Sequence, residues 1–298
     1  MSGLTIEQAR VMSPARSEVQ RRRQRKRAAR KWLMSLLLWA FAILFAMPFL
    51  WMLSSSLKRD IDVFQVPVKW IPHPVQWSNY SSVWTGEHSL LRFFGNSLFV
   101  AALSVGGELL TSSMAGYSFA RLNFRGRDKI FLLYIATSIV PSQLLLVPRF
   151  MFFKELGLYD SLWALILPAM FTVFGTFLMR QYFSSVPGEL AEASRIDGAN
   201  EWQIYWRIYL PLARPVLAAL GILGFVGSWN SYETPLIMLS TPSHYTLPLG
   251  LTEFVDENGG LSAGLAMAGA TSSIVPMVIV FLFFQRQFLA ALSHAGLK

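Results

Sequence analysis

Long apolar runs separated by polar segments form the main pattern of the chain. A helix needs roughly 20 apolar residues to cross a hydrocarbon core about 30 Å thick. Six runs are of about that length, at residues 32–53, 93–119, 130–150, 161–180, 215–239 and 264–285. Because every backbone polar group must be satisfied inside a bilayer, such runs predict helices. The pattern therefore predicts an all-α membrane protein with six transmembrane helices.

Small residues and prolines modify these predicted spans. Pro141 and Pro148 lie in the third run and Pro235 lies in the fifth. Kinks or broken helices near them would suit a moving gate, although proline is also common in static spans. Small residues let helix backbones approach closely inside a membrane. In the second run they are Gly95, Gly106, Gly107, Ser112, Ser113, Ala115 and Gly116.

A polar stretch at residues 187–215 separates the fourth and fifth runs. Pro187 suits the first turn of a helix, and Gly198 suits its end, where φ is often positive. Asn200 with Gln203 resembles a capping box that opens a second helix. The stretch therefore predicts two short helices that meet at a glycine. Aromatic residues at helical spacing predict a stripe along the second helix, formed by Trp202, Tyr205, Trp206 and Tyr209.

This stretch resembles the EAA motif of ABC-importer permeases, which reads E-A-A, a glycine and then I-x-L-P. The wording is similar to that of carbohydrate-uptake permeases, in particular the shorter of the two maltose-type subunits. The resemblance implies that the motif couples the permease to an ATPase subunit. Ser194 replaces the second alanine of the motif, and serine is also small. The predicted coupling site comprises Glu192, Ala193, Ser194, Asp197, Gly198, Ile208, Leu210 and Pro211.

Other segments follow the same family order. Residues 119–127 resemble the family's first cytoplasmic turn, residues 227–235 resemble its fifth-helix W-N-x-x-x-x-P segment, and residues 285–298 resemble its C-terminal tail. The resemblance implies a type I ABC-importer permease fold. The predicted organisation is a basic arm at 1–31, a first span with an external loop at 32–91, a permease domain at 92–285 that contains the coupling loop 187–215, and a tail at 286–298.

The resemblance also implies partners. These are a sister permease, two copies of an ATPase subunit, an extracytoplasmic solute-binding protein and a sugar substrate. The sequence contains no G-x-x-x-x-G-K-[ST] pattern, so ATP hydrolysis requires a separate chain. We therefore expect a permease that is not an enzyme and holds no cofactor, with ATP and magnesium bound by the partner ATPase.

Composition agrees with a membrane protein. The chain has 298 residues, of which 53% are hydrophobic and 14% charged, and its mean hydropathy is +0.42. It has no cysteine, and its four histidines show no metal-ligand spacing, so no metal site is expected. The net charge of +9 is concentrated in residues 1–31. This arm is expected to be solvated and partly disordered, or attracted to anionic lipid headgroups, rather than to bind nucleic acid.

Lysine and arginine predict the orientation. They are abundant at 1–31, 120–129 and 180–214, whereas the loop 241–263 has none. The positive-inside rule therefore places both termini and the coupling loop in the cytoplasm. The loop 241–263 then faces outward, where it would be either a plain solvated loop or a contact for a substrate-delivering protein. Its candidate residues are Tyr245, Thr246, Glu253, Asp256 and Glu257.

Polar residues inside the runs are the candidates for a substrate path. Asn230 and Glu233 are three residues apart, which predicts one face of the fifth helix, and they either line the path or form hydrogen bonds between helices. Trp229 could stack on a sugar ring or pack in the core. Glu108, midway along the second run, is interpreted mainly as structural.

Three other functions compete with sugar import. The chain could serve an ABC importer for a different solute, such as a peptide or a phosphodiester. An ion-coupled secondary carrier would normally show internal repeats and paired intramembrane charges. A membrane-embedded enzyme would need a cluster of acid, base or metal-binding side chains in the spans. The sequence favours the sugar importer over these alternatives.

Overall fold

A computed structural model describes residues 14–86, 89–254 and 262–295, without the side chains of 14–26, 28, 29 and 286–295. Asp256 and Glu257 lie outside the described residues, as do residues 1–13 and the last three residues of the predicted tail. The described residues contain helices and no strand. The helices are α1 Pro14–Ser55, α2 Asp60–Val63, α3 Ser78–Thr85, α4 Leu90–Arg121, α5 Arg127–Ala136, α6 Leu146–Glu155, α7 Trp163–Ala169, α8 Val173–Ser185, α9 Glu189–Ile196, α10 Glu201–Ile204, α11 Leu210–Leu212, α12 Arg214–Trp229, α13 Glu233–Met238, α14 Leu247–Gly250 and α15 Ala263–Ala295.

The chain divides into two compact units at Ser54 and Ser55. The first unit contains nearly all of α1, whose segment Arg30–Ser55 has a mean hydropathy of 2.3 and is long enough to span a membrane. Pro48 lies inside this helix without ending it. Helix α1 begins at Pro14, so residues 14–31 of the basic arm extend the helix of the first span.

Four helical segments have the length and composition of membrane spans: Arg30–Ser55, Leu90–Arg121, Trp163–Ser185 and Ala263–Gln285. Two further segments are bent pairs. Arg127–Ile139 meets Ser142–Glu155 at 90°, and Glu201–Leu212 meets Arg214–Trp229 at 74°. Counting each bent pair as one span gives up to six in the described part of the chain.

The third apolar run is broken at Pro141, which is one of the two outcomes that the sequence left open for its prolines. Val140 is extended, with φ −74° and ψ 116°, because the ring of the following proline disfavours helical geometry. The run therefore forms two helical arms at a right angle rather than one straight helix. Two short 3-10 turns, Thr137–Ile139 and Ser142–Leu145, flank the break.

The fifth run is also discontinuous, which corrects one expectation from the sequence. Helix α12 ends at Trp229 and α13 begins at Glu233, so Asn230 and Glu233 do not share one face of a single helix. With 16 residues, α12 is about 24 Å long, which is less than a hydrocarbon core of about 30 Å. The break lies where polar residues follow one another, Asn230 and Ser231 among them.

Small residues bring α4 and α8 together, as predicted. A Cβ atom added to Gly116 would lie 2.6 Å from the Met179 Cβ and 2.9 Å from the Arg180 backbone nitrogen. No side chain fits between these helices at that point, so glycine sets their separation. Ser112 and Ser113 are buried on the same helix. Close backbone packing, rather than the hydrophobic effect, therefore holds α4 against α8.

The segment after α1 is partly folded, although the sequence predicted an exposed loop. Helix α3 packs against α15 and α4, and Val83 is fully buried. The Asn79 amide donates to the carbonyl oxygens of Ser56 and Lys58, each at 2.9 Å. These bonds fix the end of the segment that returns to the bundle. The stretch around Pro67, Pro72 and Pro74 is irregular.

Candidate functional site: the coupling loop and an interior cavity

The loop at residues 187–215 contains the two predicted short helices. Helix α9 ends at Ile196, and Gly198 has φ +81°, the left-handed conformation that glycine adopts without strain. The capping box is present, since the Gln203 amide donates to the Asn200 Oδ1 at 2.9 Å and the Asn200 amide donates to the Gln203 Oε1 at 2.9 Å. Pro187 lies just before the N-cap residue Gly188, rather than in the first turn.

The predicted aromatic stripe divides into two faces. Tyr205 and Tyr209 are buried, whereas Trp202 and Trp206 are exposed. A π-helical turn at Tyr205–Tyr209 changes the angular spacing at this point. Tyr205 and Tyr209 pack on Tyr117, with ring centroids 5.3 and 5.2 Å apart. The inner face therefore anchors the loop to the bundle, and the outer face leaves two tryptophans in solvent.

A carboxylate joins three elements of this region. Glu201, at the start of α10, accepts from the Arg195 Nε of α9 through Oε1 and from the Tyr117 hydroxyl of α4 through Oε2, each at 2.8 Å. The two short helices are thus tied to each other and to a long span by one side chain. Sequence reasoning did not identify Glu201, although its position three residues after Gly198 is visible in the sequence.

Arg121 ties the end of α4 to the end of α8. Its Nε donates to the Phe183 carbonyl at 2.9 Å, and its Nη2 also donates to the Val186 carbonyl. A cation is favourable there, because the last carbonyl groups of a helix carry partial negative charge. The guanidinium also lies 5.1 Å from the ring centroid of Tyr209. Arg121 therefore connects two spans with the anchored face of the loop.

The predicted coupling residues fall into an outer and an inner set. Glu192, Ala193, Asp197 and Gly198 are exposed. Ser194 is half-buried, and its hydroxyl donates to the Leu190 carbonyl at 2.8 Å. The inner set consists of Ile208, Leu210 and Pro211, all half-buried. Ile208 and Leu210 pack on the core that contains Tyr205 and Tyr209.

One apolar residue of the outer face was not predicted. Ile196, at the end of α9, is 87% exposed. Exposed apolar side chains beside polar ones are typical of protein interaction sites when they are grouped, and Leu190, Trp202 and Trp206 are also exposed on this loop. A single isoleucine inside a polar helix was the available signal in the sequence.

A second site lies inside the bundle. A cavity of about 330 Å³ lies between α4, α6, α7, α12 and α13. Its polar lining residues include Ser104, Glu108, Arg149, Thr172, Ser231 and Thr246. The Glu108 Oε1 accepts from the Thr172 hydroxyl at 2.6 Å, and the Arg149 Nη2 donates to the Thr234 hydroxyl at 3.1 Å. Both an anionic and a cationic side chain thus face one interior space.

The predicted path residues do not line this cavity. Trp229 is 1% exposed, its indole donates to the Ser273 carbonyl at 3.1 Å, and it stacks on Phe225. It therefore packs in the core, one of the two alternatives left open by the sequence. Asn230 and Glu233 are exposed at the break after α12, and the Asn230 amide donates to the Val226 carbonyl at 3.0 Å.

Two lining residues received other interpretations from the sequence. Glu108 was interpreted as mainly structural; it has that role through Thr172 and also faces the cavity. Arg149 lies near the end of the third predicted run and was not among the candidates for the substrate path. The break at Pro141 turns α6 and brings Arg149 to the cavity.

The loop after α13 folds back on α4. The Asn96 amide donates to the carbonyl oxygens of Ser243 and Tyr245 at 2.9 Å, and the Ser97 hydroxyl accepts from the Leu247 backbone N–H at 2.7 Å. Thr246 is buried by these contacts and lines the cavity, so it is not the outward-facing residue predicted.

Asp160 links two loops on this side. It accepts from the backbone N–H groups of Ser240 and Thr241 at 2.9 and 3.0 Å, and His244 Nδ1 lies 3.3 Å away. Desolvation opposes ionisation of Asp160, but the hydrogen bonds from Thr241 and Ser240, with His244 close by, outweigh it and hold the pKa below its ordinary value. The carboxylate is therefore a charged clamp between the loops after α6 and α13.

Helices of spanning length, a helix–glycine–helix loop anchored between two of them and a polar cavity in the bundle define a membrane transport component. The family described as binding-protein-dependent transport system inner membrane component matches residues 109–294. The chain belongs to this family, as its resemblance indicated, and is therefore a multi-pass membrane permease.

Several named relatives are similar over 78% to 90% of the chain. The arabinooligosaccharides transport system permease protein AraQ of Halalkalibacterium halodurans is 35% identical over 269 residues, which cover 90% of this chain and 96% of the relative. The galactooligosaccharides transport system permease protein GanQ of Bacillus subtilis is 31% identical, covering 89% and 95%. The sn-glycerol-3-phosphate transport system permease protein UgpE of Yersinia enterocolitica is 34% identical, covering 78% and 85%.

Two solved structures share the fold. A bacterial ABC transporter involved in the import of the acidic polysaccharide alginate contains a chain with a TM-score of 0.78 and 25% identity, covering 89% of this chain and 98% of that one. The alginate transporter in complex with an alginate pentasaccharide-bound periplasmic protein gives a TM-score of 0.60 at 16% identity, which supports the fold alone. The type I ABC-importer permease fold predicted for this chain is confirmed.

Proposed function

We propose that this chain is one of two permease subunits of an ATP-driven importer of sugars or oligosaccharides. The observation that carries the proposal is the similarity over about nine tenths of the chain to permeases named for arabino- and galactooligosaccharide transport. The chain supplies a path through the membrane and performs no covalent chemistry. ATP and magnesium are bound by a separate ATPase, and the chain itself holds no cofactor.

The outer face of the coupling loop docks on that ATPase. Glu192 and Asp197 offer carboxylates to a basic groove, while Ile196 offers an apolar anchor beside them. Ala193 and Ser194 keep the contact surface shallow. Behind this face, Ile208, Leu210 and Pro211 join the loop to the core. Movement of the docked face is then transmitted to the spans through Gly198 and the hydrogen bonds of Glu201.

The other proposed partners follow from the same architecture. A sister permease completes the path, two ATPase copies serve the two coupling loops, and an extracytoplasmic solute-binding protein delivers the sugar. Asn230 and Glu233, exposed at the break after α12, are placed for contact with the sister permease or with solute passing between the two subunits. Membrane lipid covers the apolar outer surfaces of the spans.

We infer that the coupling loop and both termini lie in the cytoplasm. Arg121 is the last residue of α4, and Arg125, Arg127 and Lys129 follow it. The Arg121 bonds to the end of α8 place this end of α4 at the same end of the bundle as the anchored coupling loop. Positive charge on loops between spans favours the cytoplasmic side. The Asp160 clamp and the loop that follows α13 then face outward.

Uptake by the assembled transporter tests the proposal. Cells that carry this chain with its sister permease, ATPase and binding protein should accumulate radiolabelled arabinotriose or galactotriose, and ATP depletion should abolish accumulation. Sugar uptake that persists without ATP and collapses with the ion gradient would favour a secondary carrier instead.

A second candidate function is import of a phosphorylated small solute, because UgpE is also similar to this chain. Uptake of sn-glycerol 3-phosphate but of neither neutral trisaccharide would establish that function and refute sugar import. The same cells and the same ATP-depletion control serve both measurements.

A further inference from the structure

We propose that the interior cavity of this subunit holds one neutral, hydroxyl-rich sugar unit, bound by Ser104, Arg149 and Thr246. The inference rests on the proposed import function and adds a binding site and a charge preference. It also assigns the site to this subunit's own helices rather than to the surface shared with a sister permease.

Unpartnered polar atoms mark the cavity as a binding site. Ser104 is 3% exposed and Thr246 is 4% exposed, and within the described residues neither hydroxyl has a hydrogen-bond partner. The Arg149 Nε is also buried without one. All three residues line the cavity, and burying such groups unpaired costs free energy. A ligand that bonds to them recovers this cost.

The arrangement of these groups suits a polyol. Ser104 and Thr246 can each donate and accept, as a sugar hydroxyl also does, and the guanidinium of Arg149 is a donor only. Glu108 supplies acceptor oxygens, one of which already receives the Thr172 hydroxyl. Donors and acceptors therefore face the cavity from α4, α6 and the segment before α14.

The remaining lining is apolar. Val100, Val105, Leu165 and Pro168 contribute side chains to the walls. A pyranose or furanose ring presents C–H groups as well as hydroxyls, so a mixed lining matches it better than a uniformly polar one. The volume of about 330 Å³ is at the lower end of the range of about 300–1,000 Å³ for ligand sites. It accommodates one sugar unit rather than a chain of them.

The charges select a neutral ligand. Arg149 and Glu108 are the two charged residues of the lining. With Glu108 ionised, one carboxylate balances one guanidinium, so the site has no net positive charge. An anionic sugar would lose its hydration there without a surplus cation to replace it. The cavity should therefore reject uronic acids and sugar phosphates.

Equilibrium binding to the purified full transporter in nanodiscs tests the inference. The solute-binding protein is left out, so its own specificity does not enter. The probes are tritiated arabinotriose and, as the anionic comparison, trigalacturonate. Arg149→Gln and the double variant Ser104→Ala/Thr246→Val should each weaken arabinotriose binding about three- to tenfold or more, which corresponds to the loss of one or two buried hydrogen bonds.

Matched controls separate local chemistry from general damage. Lys154→Gln removes a cation from the same helix as Arg149, at an exposed position outside the cavity. Ser118→Ala removes a hydroxyl from the same helix as Ser104, where it only bonds back to the Met114 carbonyl. Neither control should change binding. Glu108→Gln should shift the ratio of the two affinities toward trigalacturonate, a change that altered packing alone would not produce.

The outcomes distinguish this inference from the proposed function. Unchanged arabinotriose affinity in both cavity variants would overturn the site, and so would an absence of arabinotriose binding to the parent. Tighter binding of trigalacturonate than of arabinotriose by the parent would overturn the charge preference. In each case sugar uptake by cells with the intact system would still stand as the separate test of import.

Discussion

Gly198 offers a direct test of how the coupling loop works. Its φ of +81° is unfavourable for residues with a Cβ atom, yet among the described residues no atom lies within 4 Å of where that Cβ would be. A substitution therefore strains the backbone without a steric clash. The left-handed conformation costs an L-residue about 1–2 kcal/mol, and a β-branched residue is less tolerant still. Such a cost lowers the population of the docking-competent turn about five- to thirtyfold.

The substitutions should rank by backbone preference. Gly198→Asn should be mild, because asparagine adopts this conformation more readily than other residues. Gly198→Ala should reduce uptake, and Gly198→Val should nearly abolish it. We expect the ATPase subunit to dissociate more readily during purification in the same order. Gly95→Ala is the matched control, since Gly95 is helical and the described structure also leaves open space where its Cβ would lie.

Uptake of arabinotriose, the amount of transporter in the membrane and the ATPase retained after purification should be measured together. Glu192→Lys should also lose ATPase and uptake while keeping the fold, because it reverses the charge of the exposed docking face. Ser194→Ala should be close to neutral. Parental uptake and ATPase retention in both Gly198→Val and Glu192→Lys would refute the docking role of the loop.

Three further predictions address packing, pH and orientation. Gly116→Val should lower the free energy of unfolding of the detergent-solubilised protein by about 1–3 kcal/mol or prevent folding, because α4 cannot approach α8. An unchanged melting temperature would contradict this packing. Asp160→Asn should lower the free energy of unfolding of the protein by about 1–3 kcal/mol. Since the folded-state pKa is depressed, the difference in melting temperature should persist from about pH 8 to pH 5 and shrink only in stronger acid; its loss near neutral pH would exclude the clamp. In this cysteine-free chain, Ser240→Cys should react with an impermeant thiol reagent on intact cells and Ser185→Cys should not; the opposite result would invert the orientation.

Local signals in the sequence predicted the coupling loop well. Glycine at a left-handed turn, an Asn–Gln capping box and small residues at a helix contact each depend on nearby backbone geometry, so Gly198, Asn200 and Gly116 were interpretable from the chain alone. Contacts between residues far apart in the sequence have no such local signal. The Glu201 bonds to Arg195 and Tyr117 join residues up to 84 positions apart, and spacing along one helix carries no signal for them.

The substrate path was less predictable because it depends on where helices break. A continuous fifth helix would place Asn230 and Glu233 on one face, but the helix ends between them. Likewise, the right-angle bend at Pro141 brings Arg149, near the end of the third predicted run, to an interior cavity. Proline indicates where a helix breaks, whereas the direction of the chain beyond it is set by tertiary packing. Trp229 illustrates the same limit, since an indole serves equally well as a sugar platform or as a core residue.

The chain bends at Ala213, between the helical segment Glu201–Leu212 of the coupling loop and α12. The bend lets these two segments rotate together as one rigid body. Ala213 donates to the Tyr209 and Leu210 carbonyls and accepts from the Leu217 N–H, so hydrogen bonds run through the corner and stiffen its 74° angle. With an arm of about 24 Å, a rotation of about 10° at the docked end would move the far end of α12 by about 4 Å. That end carries Gly227 and Ser228, which line the cavity. We therefore expect a small rotation of the docked loop to shift one cavity wall by more than the length of a hydrogen bond. Such a shift is enough to release a sugar that is bound from both sides of the cavity.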